Sequence, residues 1–211
     1  MNNVERILED SSDIHQFSKH YFNYLSKILN ELDTVSVSAF AEEMADARRN
    51  RNMIFFIGNG GSAATALHMV NDFGADIRKR TGTEMPFRVL SLTDNIAVML
   101  AIANDSGYDN LFVNQLRTYY QPGDKLVAIS ASGNSRNVVA AAQWVKNQGG
   151  TVMSLVGFEG GKLKEISDVT IHVKSVQGEY GPVEDIHLLV GHLLCYWLQY
   201  RVQNEQRVQK I

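Results

Sequence analysis

Five short, largely apolar runs punctuate the chain at Met53–Ile57, Phe87–Leu92, Lys125–Ile129, Thr151–Val156 and Val169–Val173, with helical patterns between them. A strand with one wet face alternates apolar and polar residues; these runs are apolar almost throughout, so both of their faces must be covered. Strands that alternate with helices and are covered on both sides make a parallel, doubly wound α/β sheet. The expected architecture is therefore five parallel strands in flavodoxin-like order. In such a sheet the ligand lies beyond the carboxyl ends of the strands, where the loops after the first and third strands run side by side.

Both of those loops are rich in glycine and hydroxyls: Gly58-Asn59-Gly60-Gly61-Ser62 after the first run and Ser130-Ala131-Ser132-Gly133-Asn134-Ser135 after the third. A strand that feeds such a turn at a helix start gathers backbone N–H groups, O–H groups and the positive end of the helix dipole at one point, which suits an anion. Ser130, Ser132 and Ser135 give three hydroxyls within six residues, and the helix after them begins at Asn134-Ser135. No loop lysine and no G-x-x-x-x-G-K-[ST] is present, so a monophosphate ester fits better than a nucleoside triphosphate with magnesium.

Residues 1–50 read as an N-terminal helical segment, with Tyr21, Phe22, Tyr24, Leu25, Ile28, Leu29 and Leu32 forming an apolar stripe. Its second helix ends at Arg48-Arg49-Asn50-Arg51, which reads as a solvated helix end. A long closing helix from about Val183 to Gln209 carries Ile186, Leu189, Val190, Leu193, Leu194, Trp197 and Leu198. That is apolar over more of the circumference than one monomer's core needs, which points to helix packing between subunits. With 211 residues and no visible linker or repeat, the expectation is one domain over 1–211, its sheet core and closing helix filling 51–211.

A net charge of −3 gives no general pull toward nucleic acid or an anionic membrane, so any anion site must be made locally by loops and helix ends. The single cysteine, Cys195, excludes an intramolecular disulfide and reads as apolar filler in Leu193-Leu194-Cys195-Tyr196-Trp197. The first residues lack a signal peptide's apolar core and no run reaches membrane-spanning length, so the expected protein is soluble and cytoplasmic.

His68 and Asp72 stand four apart on the helix after the first loop and share a face, able to hold a metal or a substrate. Glu184, Asp185, His187 and His192 form a second cluster on the closing helix, although His192, set among apolar residues, reads by itself as a satisfied interior histidine.

Gly58-Asn59-Gly60-Gly61-Ser62 with His68, then Asn104-Asp105, Ser130-x-Ser132-Gly133-Asn134-Ser135, Gly160-Gly161-Lys162 and Glu184-x-x-His187 with His192 together resemble the sugar isomerase (SIS) domain family, and within it the bacterial phosphoheptose isomerases. The resemblance runs from about residue 15 to the C-terminus. It implies a SIS fold and a homotetramer with active sites between subunits. It also implies interconversion of sedoheptulose 7-phosphate and D-glycero-D-manno-heptose 7-phosphate, and one zinc ion per active site. The family's histidine, glutamate, glutamine and histidine ligands fall on His68, Asp72, Glu184 and His192, two of them substituted. The resemblance further gives Asp72 and His192 the acid and base roles, with Glu184 as an alternative base. Asp72 is one methylene, ~1.5 Å, shorter than glutamate.

Asn59, Gly60, Gly61, Ser62, Asn104, Asp105, Ser130, Ala131, Ser132 and Ser135 match substrate contacts, Ala131 in place of a threonine. Asp76 and Gly181 replace an arginine and an aspartate that touch the sugar. Two functions are weighed: a zinc-assisted aldose–ketose isomerase for a sugar phosphate, and a non-catalytic SIS protein that binds a sugar phosphate or a protein partner, like the replication-initiation adaptor that resembles phosphoheptose isomerase.

Overall fold

The computed structural model describes residues 1–208; Gln209, at the expected end of the closing helix, lies outside them. The strands are β1 (Met53–Ile57), β2 (Arg88–Ser91), β3 (Lys125–Ser130), β4 (Thr151–Phe158) and β5 (Val169–Lys174), all parallel in the order β2-β1-β3-β4-β5. The change in direction falls between β1 and β3, as expected. Alternate residues serve opposite faces. Ile54, Phe56, Val127, Ile129, Met153 and Leu155 meet one set of helices, while Phe55, Ile57, Leu126, Ala128, Val152 and Val156 meet the other.

The first face is covered by α3 (Thr34–Arg49), α4 (Gly60–Val70), α5 (Ile77–Thr81) and α10 (Tyr180–Val208). The second is covered by α7 (Leu111–Tyr119), α8 (Arg136–Asn147) and α9 (Gly161–Ile166). Between α4 and α5 the chain runs through a π-helical turn, Asn71–Asp76, and α6 (Ile96–Ser106) follows β2.

The N-terminal segment holds three helices where two were expected: α1 (Asn3–Glu9), α2 (Ile14–Asn30) and α3. Each starts at a side-chain cap, Asn2, Asp13 or Asp33, and these short polar caps end the helical pattern before composition shows a break. Of the expected stripe, Ile28 is buried and Tyr24, Leu25, Leu29 and Leu32 pack against the core, whereas Phe22 faces solvent.

Arg48 is not a solvated helix end. Its side chain is buried, with Nη1 2.6 Å from Glu205 Oε2, Nε donating to the Met85 carbonyl at 2.9 Å and the guanidinium over the Phe87 ring. The three-arginine run concealed one residue that ties α3 to the far end of α10.

α10 buries Ile186, Val190, Leu194, Leu198 and Val202, a stripe at four-residue spacing, and leaves Leu189, Leu193, Tyr196, Trp197 and Tyr200 exposed. His187 on the same helix is fully buried. Its Nε2 faces the Val156 carbonyl at 3.2 Å and its Nδ1 has no partner. Burial pushes its pKa from 6.5 down to about 4, with the charge of His172 adding to the effect. The folded chain therefore holds this imidazole neutral, while the unfolded chain protonates it below pH 6.5. Stability from His187 is complete above pH 6.5 and is lost as pH falls from there to about 4, a loss on the order of 3 kcal/mol. Urea unfolding at stepped pH should show His187→Gln with a shallower acid-side loss than wild type; equal slopes would contradict this assignment.

Candidate active site

At the switch point the β1 and β3 loops enclose a hollow of ≈ 250 Å³. Asn59, Gly60, Gly61, Ser62, Ser130, Ala131, Ser132 and Ser135 line it, with Tyr180 and Glu184 of α10 opposite. Two tight approaches shape it. Gly61 lies against Glu184, where a Cβ would sit 2.2 Å from the carboxylate, so a larger residue would push that carboxylate out of its place. Gly133 has φ +63° and a Cβ there would fall 1.9 Å from the Gly160 carbonyl oxygen, which locks the serine loop onto the start of α9. Asn134 completes that junction, accepting from the Lys162 N–H at 3.0 Å and donating to the Ser132 carbonyl at 3.0 Å.

The two loops are tied by a reciprocal amide pair. Asn59 Nδ2 donates to Asn137 Oδ1 and Asn137 Nδ2 to Asn59 Oδ1, each at 2.9 Å, and Tyr108 also donates to Asn59 Oδ1 at 2.9 Å. Asn59 thus stands at the α4 N-cap without capping it by its side chain. Ser130 Oγ accepts from the Gly133 N–H and Ser132 Oγ from the Asn134 N–H, both at 3.2 Å. A hydroxyl whose oxygen is so engaged still has its own proton to give, which sets Ser132 to donate, while Ser130 and Ser135 share a hydrogen bond at 3.2 Å that leaves one proton of the pair for a ligand. Among the described residues no lysine or arginine lines the hollow. An anion placed there would meet hydroxyls, backbone amides and the starts of α4 and α8. Glu184 is the hollow's one acidic wall residue; burial pushes that carboxyl above its ordinary range and the Asp185 carboxylate adds to the push.

A second hollow, of ≈ 320 Å³, gathers His68, Asp72 and His192, with Asn71, Asp76, Arg80, Cys195 and Tyr196 among its walls. The two Nε2 atoms stand 2.8 Å apart, and Asp72 Oδ2 is 3.4 Å from His68 and 3.8 Å from His192. Asp72 is buried in the π-helical turn, and its other oxygen accepts from Asn71 Nδ2 at 3.3 Å. Such turns recur at functional sites because they re-aim a side chain out of the regular ladder. His192 is exposed, not an interior histidine; the interior one is His187. Cys195 is half-buried and its thiol is pushed up to about 11 by burial, so it is no nucleophile at neutral pH.

α4 and α10 pack in parallel: Gly61 meets Glu184 at one end, and Gly191, beside His192, meets Met69, beside His68, further along. Eight residues separate Glu184 from His192, a rise of about 12 Å. Within one chain Glu184 is therefore at the anion hollow and not among the His68, Asp72 and His192 donor atoms, which all lie within 4.8 Å of one another. Asn104 and Asp105 also part from expectation: they bond to each other at 2.7 Å on the exposed end of α6 and line neither hollow. Asn137 and Tyr180 were not legible as site residues. Asn137 reads as a first-turn helix residue, and Tyr180 was detectable only through its four-residue spacing from Glu184.

Residues 19–157 match the SIS domain family. The chain belongs to that family. It is 40% identical over 143 residues to the phosphoheptose isomerase of Rhodospirillum rubrum, covering 67% of this chain and 73% of that one. It is 35% identical over 202 residues to the phosphoheptose isomerase of Geotalea daltonii, covering 95% of this chain and all of that one. The structure of the Neisseria gonorrhoeae phosphoheptose isomerase superposes with a TM-score of 0.78 at 28% identity, over 89% of this chain and 100% of that one. That structure thus shares the fold of this chain.

Replacing Asn137 by leucine removes both amide bonds and takes the acceptor away from Asn59 Nδ2 and from the Val138 N–H, which also donates to Asn137 Oδ1, while Tyr108 still donates to Asn59 Oδ1. A cost of roughly 2–3 kcal/mol is expected. An unshifted urea midpoint for Asn137→Leu would show that the pair does not hold the loops.

Proposed function

We propose that this SIS protein is an aldose–ketose isomerase that converts sedoheptulose 7-phosphate to D-glycero-D-manno-heptose 7-phosphate. The observation that carries the reading is the pairing of an anion hollow with a histidine–carboxylate cluster about 12 Å further along the same two helices. An open seven-carbon monophosphate spans eight bonds from C1 to phosphorus, and at ~1.2 Å of advance per bond in an extended chain it covers ~10 Å. A phosphate held by Ser130, Ser132 and Ser135 thus brings C1 and C2 to His68, Asp72 and His192. The names of the relatives support the same substrate class.

In this reading Asp72 takes a proton from C1 while His192 gives one to the C2 carbonyl oxygen, leaving an enediol; return of a proton to C2 and loss of the O1 proton yield the aldose. The reach missing from Asp72 relative to glutamate is made up by its place in the π-helical turn beside both imidazoles. Glu184 contacts the phosphate end and has no proton transfer assigned to it.

Two imidazole nitrogens and a carboxylate oxygen converging at these distances fit a catalytic zinc site, three protein ligands with an open position. His68, Asp72 and His192 would hold the ion; when bound it would supply polarisation of the carbonyl oxygen, the part that His192 plays as proton donor when its Nε2 is free of metal.

The exposed Leu189, Leu193, Tyr196, Trp197 and Tyr200 support a homotetramer. Tyr196 borders both this apolar face and the histidine hollow, so a second copy seated there would close the active site at a subunit interface. No helix among the described residues is long and apolar enough to cross a membrane; with one cysteine and no disulfide, we place the enzyme in the cytoplasm.

Purified protein incubated with sedoheptulose 7-phosphate and zinc should form the aldose, followed by NMR. Phosphate binding without turnover, with and without zinc, would reinstate the adaptor reading. His192→Ala should abolish turnover and lower the zinc content by elemental analysis while the oligomer persists on a sizing column; retained turnover would remove it from the mechanism. Ser132→Ala and Ser135→Ala should each raise KM about tenfold, as expected for loss of a hydrogen bond to a charged group. An unchanged KM would place the phosphate elsewhere.

A further inference from the structure

Phe158, at the end of β4, holds a left-handed backbone with φ +49°. Glycines stand beside it at Gly157, Gly160 and Gly161, yet this position carries a bulky residue for which the conformation is strained and glycine's would not be. The strain is held from both sides. Its N–H donates to Ser175 Oγ at 3.3 Å and its carbonyl accepts from His172 Nε2 at 2.8 Å.

With the backbone so turned, the buried Phe158 ring forms a ledge for Tyr180, the first residue of α10, whose ring meets it edge-on with centroids 5.1 Å apart at 85°. Tyr180 in turn walls the serine-loop hollow one turn before Glu184. It stands at the end of the hollow away from the histidines, where the phosphate of a bound sugar would sit. Because no cation and one acidic wall line that hollow among the described residues, each further neutral donor counts toward holding an anion.

We propose that Tyr180 is a further ligand-binding residue, its hydroxyl donating to the phosphate gripped by the 130–135 loop, and that Phe158 is the positioning residue that sets the Tyr180 ring. The proposal rests on reading this hollow as the phosphate site.

Calorimetric titration of the full-length chain with inorganic phosphate tests it. Tyr180→Phe should weaken phosphate about tenfold with an unchanged thermal midpoint, the size expected for one hydrogen bond to a charged acceptor. Phe158→Leu, which keeps buried apolar bulk but removes the ring, should weaken it several-fold, and Phe158→Tyr should restore wild-type affinity. Equal binding by wild type and Tyr180→Phe, while Ser132→Ala binds more weakly, overturns the proposal and leaves the phosphate site standing. Equal binding by wild type, Tyr180→Phe and Ser132→Ala overturns both. Wild-type affinity in Phe158→Leu removes Phe158 as the positioning residue.

Discussion

The reciprocal amide pair between Asn59 and Asn137 fixes the distance between two loops that belong to different strands and would otherwise share only the sheet. A parallel sheet spaces its strands about 4.8 Å apart but leaves the loops beyond their ends free to splay. Two amides facing each other need all four of their polar groups matched, so the pair admits one separation and one orientation. Asn137 is buried, and Tyr108 adds a second donor to the Asn59 acceptor at the pair's exposed side. On that separation depend the width of the hollow and the aim of Ser130 and Ser132 into it. The helix starts that supply the hollow's positive potential are brought together by the same contact.

The strands were legible because burial on both faces leaves a run with no polar interruption, and Met53–Ile57 coincides with β1 to the residue. β4 runs two residues past its expected end, to Gly157 and Phe158, which both pair with β5. The serine loops were legible from hydroxyl and glycine density at a strand end, a local signal. What sequence could not show was which helix faces meet across the fold. Glu184 and His192 share α10 and fall on one side of it, but only the parallel packing against α4 shows that one belongs to the anion hollow and the other to the histidines. Arg48 hides for a related reason: its partner Glu205 is 157 residues away.

With no lysine or arginine among the described lining residues, the proposed phosphate site must hold an anion by neutral donors alone, and Glu184 adds a carboxyl to its wall. Desolvated hydroxyl and amide donors at two helix starts are preorganised and lose little entropy on binding, whereas a lysine would have to be ordered. Burial, with the Asp185 carboxylate beside it, pushes the Glu184 carboxyl above its ordinary range, the direction that disfavours a second negative charge at this wall.

α10 shows how one helix answers three demands at once. At 100° per residue, Ile186, Val190, Leu194 and Leu198 face the sheet, and Leu189, Leu193, Trp197 and Tyr200 face outward. Glu184 and His192 lie between these two apolar sectors, on the flank that meets α4. An amphipathic pattern is then absent, because the polar sector has narrowed to the width of a site. His192 interrupts an apolar stretch not as a buried histidine tolerated by the core, but because that flank must be polar where it meets His68 and Asp72. The outward sector leaves a broad apolar face beside the histidine hollow, so that exposed surface and the histidine–carboxylate cluster are set by the same helical phase.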